Sequence, residues 1–468
     1  MLLLGRIVAT IISGALLAQA YGLNPFWPLA WIAPLPLLIA VIGATRLGAF
    51  AYGALAGVLS MALMFANFLD LGGLAPALIV TLIKAATWGA MALAVRAAAR
   101  HLPAPAAIFV FPALMAGVET VIAALSPHGS AGSLAYSQMD FIPAIQTASL
   151  GGAPAIAFIV TLFASLIAFL IGKRALIAAI APASLVAGTL GYGVFRVPLP
   201  VTPAANEPLH TISATLLAGD QFSGVPDDWR AVWNAYTPQI ERAADENRRM
   251  ILLPEKIAFI EPGERAAAIE QLAEIARRRD LLLIAGADDE TESGRFNRAF
   301  VFTPGDWQSY DKRHMIPGFE SHFARGDGDL IFAHQGVRYG VAICKDMDFP
   351  ALGRRYAGVE IMLVPAWDFT TDAWLHSRMA MLRGVENGYA VVRSARNGVL
   401  TVSDAYGRVL QEAPSGPQTA YNVTIPTDAP GATLYARIGD VFGWAMLALA
   451  AVLIGWTIRA RRRAGQGD

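Results

Sequence analysis

The sequence predicts an α-helical membrane bundle of about eight spans joined to a water-soluble α/β domain of alternating strands and helices. Three observations predict it. Only 15% of the 468 residues are charged and the mean hydropathy is +0.47, far above a soluble average. The charges are segregated: residues 1–195 hold seven Lys or Arg and three acids (Asp70, Glu119, Asp140), while most others fall between about 196 and 437. Within that charged stretch, short apolar runs alternate with helical patterns.

Apolar stretches near 6–23, 27–44, 48–69, 74–96, 105–125, 150–172, 175–195 and 438–458 are each long enough to cross a bilayer. Their connectors carry an orientation, because cytoplasmic loops are enriched in Lys and Arg. With a cytoplasmic N-terminus, the inner connectors hold Arg46, then Arg96 and Arg100, then Lys173 and Arg174, and last Arg459 and Arg461 to Arg463. The outer ones, Asn24-Pro25, Asp70 to Gly73, and residues 126–151, hold no Lys or Arg. The expected organisation is a seven-span bundle over 1–196, a periplasmic domain over 197–436, and a final span with a basic cytoplasmic tail over 437–468. The first apolar stretch runs directly into the second and reads as a span, with no cleavable signal peptide.

In the soluble stretch, strands are expected at 210–217, 250–253, 281–285, 298–303, 338–343, 361–364 and 390–394, with helices near 227–247 and 263–279. The formal net charge is zero, so bulk charge points to no nucleic-acid partner. One cysteine excludes an internal disulfide. The spacing of His314, His322, His334 and His376 matches no metal motif, and no metal or organic cofactor is expected.

Candidate chemistry sits at three strand ends. The apolar run Gly340-Val341-Ala342-Ile343 stops at Cys344, where a nucleophile can lie beside backbone N–H groups able to hold an oxyanion. A lone cysteine is also compatible with an inert, buried thiol. The run Met250-Ile251-Leu252-Leu253-Pro254 ends at Glu255, and Ser309-Tyr310-Asp311 leads to Lys312. A carboxylate can take a thiol proton, and an ammonium group can stabilise the charges that follow. Each alone reads first as a solvated loop charge; the three together, in the order Glu, Lys, Cys, are far more specific. Glu119, inside an apolar span, is either a functional acid or a paired group of the helix bundle.

These residues resemble the nitrilase superfamily, whose Glu-Lys-Cys triad maps onto Glu255, Lys312 and Cys344. With the spans included, the chain resembles the apolipoprotein N-acyltransferase family over essentially its whole length. The likeness is carried by Pro25-Phe26-Trp27-Pro28-Leu29-Ala30-Trp31, Gly132-Ser133-Leu134-Ala135-Tyr136-Ser137-Gln138, Lys312-Arg313-His314-Met315-Ile316-Pro317-Gly318-Phe319-Glu320 and Thr433-Leu434-Tyr435-Ala436-Arg437. It implies an αββα sandwich for the soluble domain and supporting or substrate-binding roles for Glu320, Asp346, Trp229 and Trp367. It also implies a membrane phospholipid as acyl donor, a diacylated lipoprotein as acceptor, and a location in the bacterial inner membrane. Two positions depart from the family. Lys345-Asp346 follow the cysteine where the family has an aromatic residue and Glu, and Lys256-Ile257 follow the glutamate where it has Thr-Ala. The alternatives are a membrane-bound amidase or hydrolase, a paralogous transferase with another amine acceptor, and a transporter or scaffold; few intramembrane charges argue against transport.

Overall fold

A computed structural model describes residues 3–173, 176–198, 211–217, 224–416 and 420–464. Arg174 of the third inner connector and His210 of the first expected strand lie outside the described residues. The chain divides into two compact units, one built from residues 1–125, 132–197 and 438–468, the other from 126–131 and 198–437.

The first unit is helical. Among the described residues, six helices are long and apolar enough to cross a membrane: Leu3–Ala20, Leu74–His101, Ala104–Leu125, Ala153–Lys173, Ile177–Arg196 and Val441–Arg463. The other two expected spans are shorter, Trp27–Ile42 and Arg46–Leu59, and the first of these is interrupted at Pro34. The second stops at Ser60 and a separate short helix, Phe65–Gly72, follows. Helices pack closely where side chains are smallest, since association within lipid relies on backbone approach. A Cβ on Gly53 would lie 2.4 Å from the Trp88 carbonyl oxygen, and one on Gly57 would lie 2.6 Å from that of Lys84.

Glu119 has a structural role in this unit. Its Oε2 accepts from the Ser133 hydroxyl at 2.6 Å and its Oε1 from the Leu134 amide at 2.8 Å, capping the turn Leu134–Gln138. Gln138 in turn accepts from the Trp31 indole at 2.7 Å and donates to the Trp27 carbonyl at 3.0 Å. Two sequence motifs far apart in the chain thus form one hydrogen-bonded corner.

The second unit contains two stacked sheets. One has the order β13-β1-β2-β4-β5-β6, from β1 (Thr211–Leu217), β2 (Met250–Leu252), β4 (Leu282–Thr291), β5 (Gly294–Phe302), β6 (Trp307–Asp311) and β13 (Ala420–Pro426), with β3 (Phe259–Ile260) also paired to β4. The other has the order β12-β11-β10-β9-β8-β7, from β7 (Leu330–His334), β8 (Val337–Val341), β9 (Ile361–Trp367), β10 (Ala390–Arg396), β11 (Val399–Ser403) and β12 (Val409–Pro414). Their inner faces share a core that includes Leu216, Leu252, Ile284, Val341, Leu363 and Val392. Helices Trp229–Asp245 and Arg265–Arg279 cover one outer face through Trp233, Ile240 and Leu272. Helices Pro350–Arg355 and Ala373–Asn387 cover the other through Leu352 and Ala380. The result is an αββα sandwich, in which both sheets are buried on two faces. β2, β8, β9 and β10 are parallel neighbours of other strands, and their C-terminal ends reach the same region as the start of the Cys344 turn.

Candidate active site

Glu255 is placed by the end of β2. The Leu253 amide donates to the Ile284 carbonyl at 2.8 Å, and the Gly286 amide donates to the Pro254 carbonyl at 3.1 Å, so β4 holds the outgoing chain. Gly286 must be a glycine for this approach: a Cβ there would stand 2.4 Å from the Pro254 oxygen and 2.6 Å from the Glu255 Cα. The Glu255 amide reaches across to the second sheet, donating to the Ala366 carbonyl at 3.3 Å. Its side chain is buried.

Lys312 follows β6 and is fully buried. Its Nζ donates to Glu255 Oε1 at 2.8 Å and to both oxygens of Glu320, at 2.8 and 3.0 Å. Asn297 on β5 joins the same group, its Nδ2 donating to Glu255 Oε1 at 2.6 Å and to Glu320 Oε1 at 3.0 Å. The Ile316 amide donates to Glu320 Oε2 at 2.9 Å. Every one of these contacts leaves Glu255 Oε2 alone, and this buried oxygen accepts no hydrogen bond from the described residues. A carboxylate with one oxygen held and the other free is arranged to take a proton.

Cys344 opens a tight turn, Cys344–Asp348, three residues beyond the end of β8. Its φ is +46°, a conformation disfavoured for a side chain with a Cβ and found where a nucleophile is projected from a strand end. The thiol is 7% exposed and its Sγ lies 3.6 Å from the Trp367 carbonyl oxygen, to which it donates. Burial and then the Glu255 charge push this thiol well above its ordinary range, with Lys312 opposing them. The resting sulfur is therefore protonated, and a nearby base is required before it attacks. Lys312 experiences the reverse: burial lowers it, but Glu255, Cys344 and Glu320 hold it above the usual lysine range.

Asp346 is a positioning group. Its Oδ2 accepts from the Tyr310 hydroxyl at 2.8 Å and the Ile343 amide at 3.2 Å, and its Oδ1 accepts from the amides of Arg313 and His314 at 3.2 and 2.9 Å. It joins the turn carrying Cys344 to the segment that follows Lys312. Trp367 is brought to the site through its carbonyl, and its ring faces the Arg396 guanidinium at 3.9 Å. Trp229 is not: it is buried in the layer between helix Trp229–Asp245 and the first sheet, with its indole donating to Glu264 at 3.2 Å. Lys345 turns away from the sulfur, its Nζ lying 3.2 Å from His128 Nδ1 and 3.7 Å from Asp348.

Several residues at the site were not singled out from the sequence. Asn297 is one, and its signal was a polar residue two and four positions before the inward-facing Ala299 and Val301 of β5. Asp368 and Arg393 form a buried bidentate pair whose charges both act on Cys344. Arg396 donates to the Lys256 carbonyl at 2.8 Å.

Residues 221–429 match the carbon–nitrogen hydrolase family, and residues 13–166 match the apolipoprotein N-acyltransferase N-terminal domain. Two relatives preserve this pairing over nearly the whole chain. The apolipoprotein N-acyltransferase of Geobacter metallireducens is 25% identical, over 96% of this chain and 95% of its own length. That of Gloeobacter violaceus is 26% identical, over 97% and 95%. The chain belongs to the apolipoprotein N-acyltransferase family. Like the family, it joins a membrane-embedded helical unit to a carbon–nitrogen hydrolase domain. A Pseudomonas (R)-stereoselective amidase is 31% identical over 34% of this chain and 62% of its own. Among solved structures, a CN-hydrolase superfamily protein of Xanthomonas campestris is similar at 22% identity, with a TM-score of 0.41, covering 51% of this chain and 97% of that one.

Proposed function

We propose that this acyltransferase moves an acyl chain from a membrane phospholipid to the α-amino group of a diacylglyceryl-cysteine lipoprotein, with Cys344 as carrier and Glu255 and Lys312 completing the triad. The observation that carries the chemistry is the free Oε2 of Glu255, a carboxylate whose charge acts on the buried Cys344 thiol. In the first half, Oε2 takes the Sγ proton, and the sulfur bonds to the ester carbonyl carbon. Lys312 stabilises the negative charge that develops on the carbonyl oxygen. The ester C–O bond then breaks, the lysophospholipid oxygen leaves with the proton from Glu255, and a thioester remains. In the second half, the acceptor amine attacks the thioester carbon and gives its proton to Glu255. The C–S bond breaks and the proton returns to sulfur.

The loop charges support an inner-membrane placement with both termini cytoplasmic and the 197–436 domain periplasmic. Such a placement suits substrates whose acyl chains stay in the bilayer. Purified protein is to be incubated with phosphatidylethanolamine and a diacylated lipopeptide, beside Cys344→Ala, and the products weighed by mass spectrometry. The expected result is an acyl adduct on Cys344 and an N-acylated peptide, both lost in the variant. Transfer that persists in Cys344→Ala would overturn the mechanism. Release of free fatty acid without N-acylation would instead mark a hydrolase.

A further inference from the structure

Lys256 stands where it enters the charge balance of the site. It follows Glu255 directly with φ +48°, a left-handed turn that aims its side chain back toward the carboxylates. Its Nζ lies 2.5 Å from Glu320 Oε1 and 3.8 Å from Glu255 Oε1. The same Nζ lies 5.2 Å from the ring centroid of Trp367 and 5.4 Å from that of Phe323.

Glu320 therefore has two cations, Lys312 and Lys256, and Lys312 has two carboxylates, Glu255 and Glu320. Without Lys256, Lys312 alone would face both acids, and the group would carry a net negative charge next to the sulfur. Forming a thiolate or an oxyanion there would then add like charge in a buried setting, where such charge is poorly screened. The remaining charged neighbours do not supply the missing cation. Asp368 and Arg393 neutralise each other, and Arg396 directs its guanidinium to the Lys256 and Gly224 carbonyls and the Trp367 ring.

We propose that Lys256 is a positioning residue that neutralises Glu320 and so leaves the charge of Lys312 available to Glu255 and to the Cys344 sulfur as it ionises. The inference rests on the triad reading given above. Its corollary is that the site's cationic charge is divided between two lysines, the second next to the base glutamate.

Cys344 is the sole cysteine of the chain, so alkylation of the full-length protein by iodoacetamide reports on this thiol alone. Its rate would be followed against pH for wild type, Lys256→Met, Lys256→Gln, Lys256→Arg and the double variant Lys256→Met/Glu320→Gln. Both neutral substitutions are expected to move the profile alkaline by about one pH unit, making alkylation at neutral pH about tenfold slower. Lys256→Arg retains the wild-type profile, and the double variant returns toward it, because the charge that Lys256 balanced is gone. Superimposable wild-type and Lys256→Gln profiles would overturn the inference, as would a shift that Lys256→Arg fails to restore. Acyl transfer surviving in Cys344→Ala would overturn the triad reading itself. A normal wild-type thioester with an unshifted Lys256→Gln profile would remove the role of Lys256 alone.

Discussion

At the scale of single residues, the proposed site treats its two carboxylates unequally. Glu320 is saturated: burial pushes it up, but Lys312 and then Lys256 more than reverse this and hold it at about 2. Glu255 is held through one oxygen only. Lys312 and the Ile316 amide make that distinction by donating to Glu320 Oε2, whereas Asn297 donates to Oε1 of both acids. Asn297→Leu is expected to lower thioester formation about 100-fold, a loss typical of removing one oriented donor, with little change in lipid binding; rapid-quench measurement of the acyl-enzyme separates the two. The depressed Glu320 also carries a stability term. Its contribution is fully present above the unfolded value near 4.5 and is lost as pH falls toward about 2. Thermal melts of wild type should therefore fall across that acidic window, and those of Glu320→Gln should fall less.

At the scale of elements, the strand ends aim the chemistry and the turns between them hold it. Gly286 lets β4 pass against the Pro254–Glu255 peptide, so Gly286→Val should displace Glu255 and cost about 1–3 kcal/mol of stability by overpacking. Activity should fall further than the melting temperature alone explains, which parallel transfer and unfolding measurements would show. The far end of the Cys344 turn is tied to helix Ala373–Asn387 through His376, whose ring lies 3.2 Å from Asp372 and 3.7 Å from Asp348. Burial lowers this imidazole, but the two carboxylates push it up to about 10. The stabilisation is complete below the unfolded value near 6.5 and disappears as pH rises through 10. Melting temperature should decline over that alkaline range, and His376→Gln should flatten the decline. The strands leading to Glu255 and Cys344 were legible because each is an apolar run ending at a reactive residue, whereas β6 before Lys312 is mostly polar and partly exposed. β7, β11, β12 and β13 were not among the expected strands. β12 is largely exposed along an edge, and β13 alternates exposed and buried residues over a short length, so neither shows a continuous apolar run.

At the scale of the whole molecule, the membrane character follows from composition, and connector charge supports the proposed orientation of the helices. A cysteine introduced at Asn24 in a Cys344→Ala background should react with a membrane-impermeant maleimide added outside intact cells, whereas one at Arg46 should react only after permeabilisation. The opposite pattern would reverse the proposed topology. By itself the sequence determined the division into helical and α/β units and supplied the residues proposed here for acyl transfer, because hydropathy, charge segregation and strand ends are local properties. Only the tertiary structure decided how the helical stretches divide, since Pro34 and the break at Ser60 act on geometry rather than on average hydropathy. It alone assigned Asn297, Asp368, Arg393 and Lys256 their places, and gave Glu119 to a capped turn. A buried polar residue acquires its meaning from the partner that satisfies it, and here those partners come from other strands and distant loops.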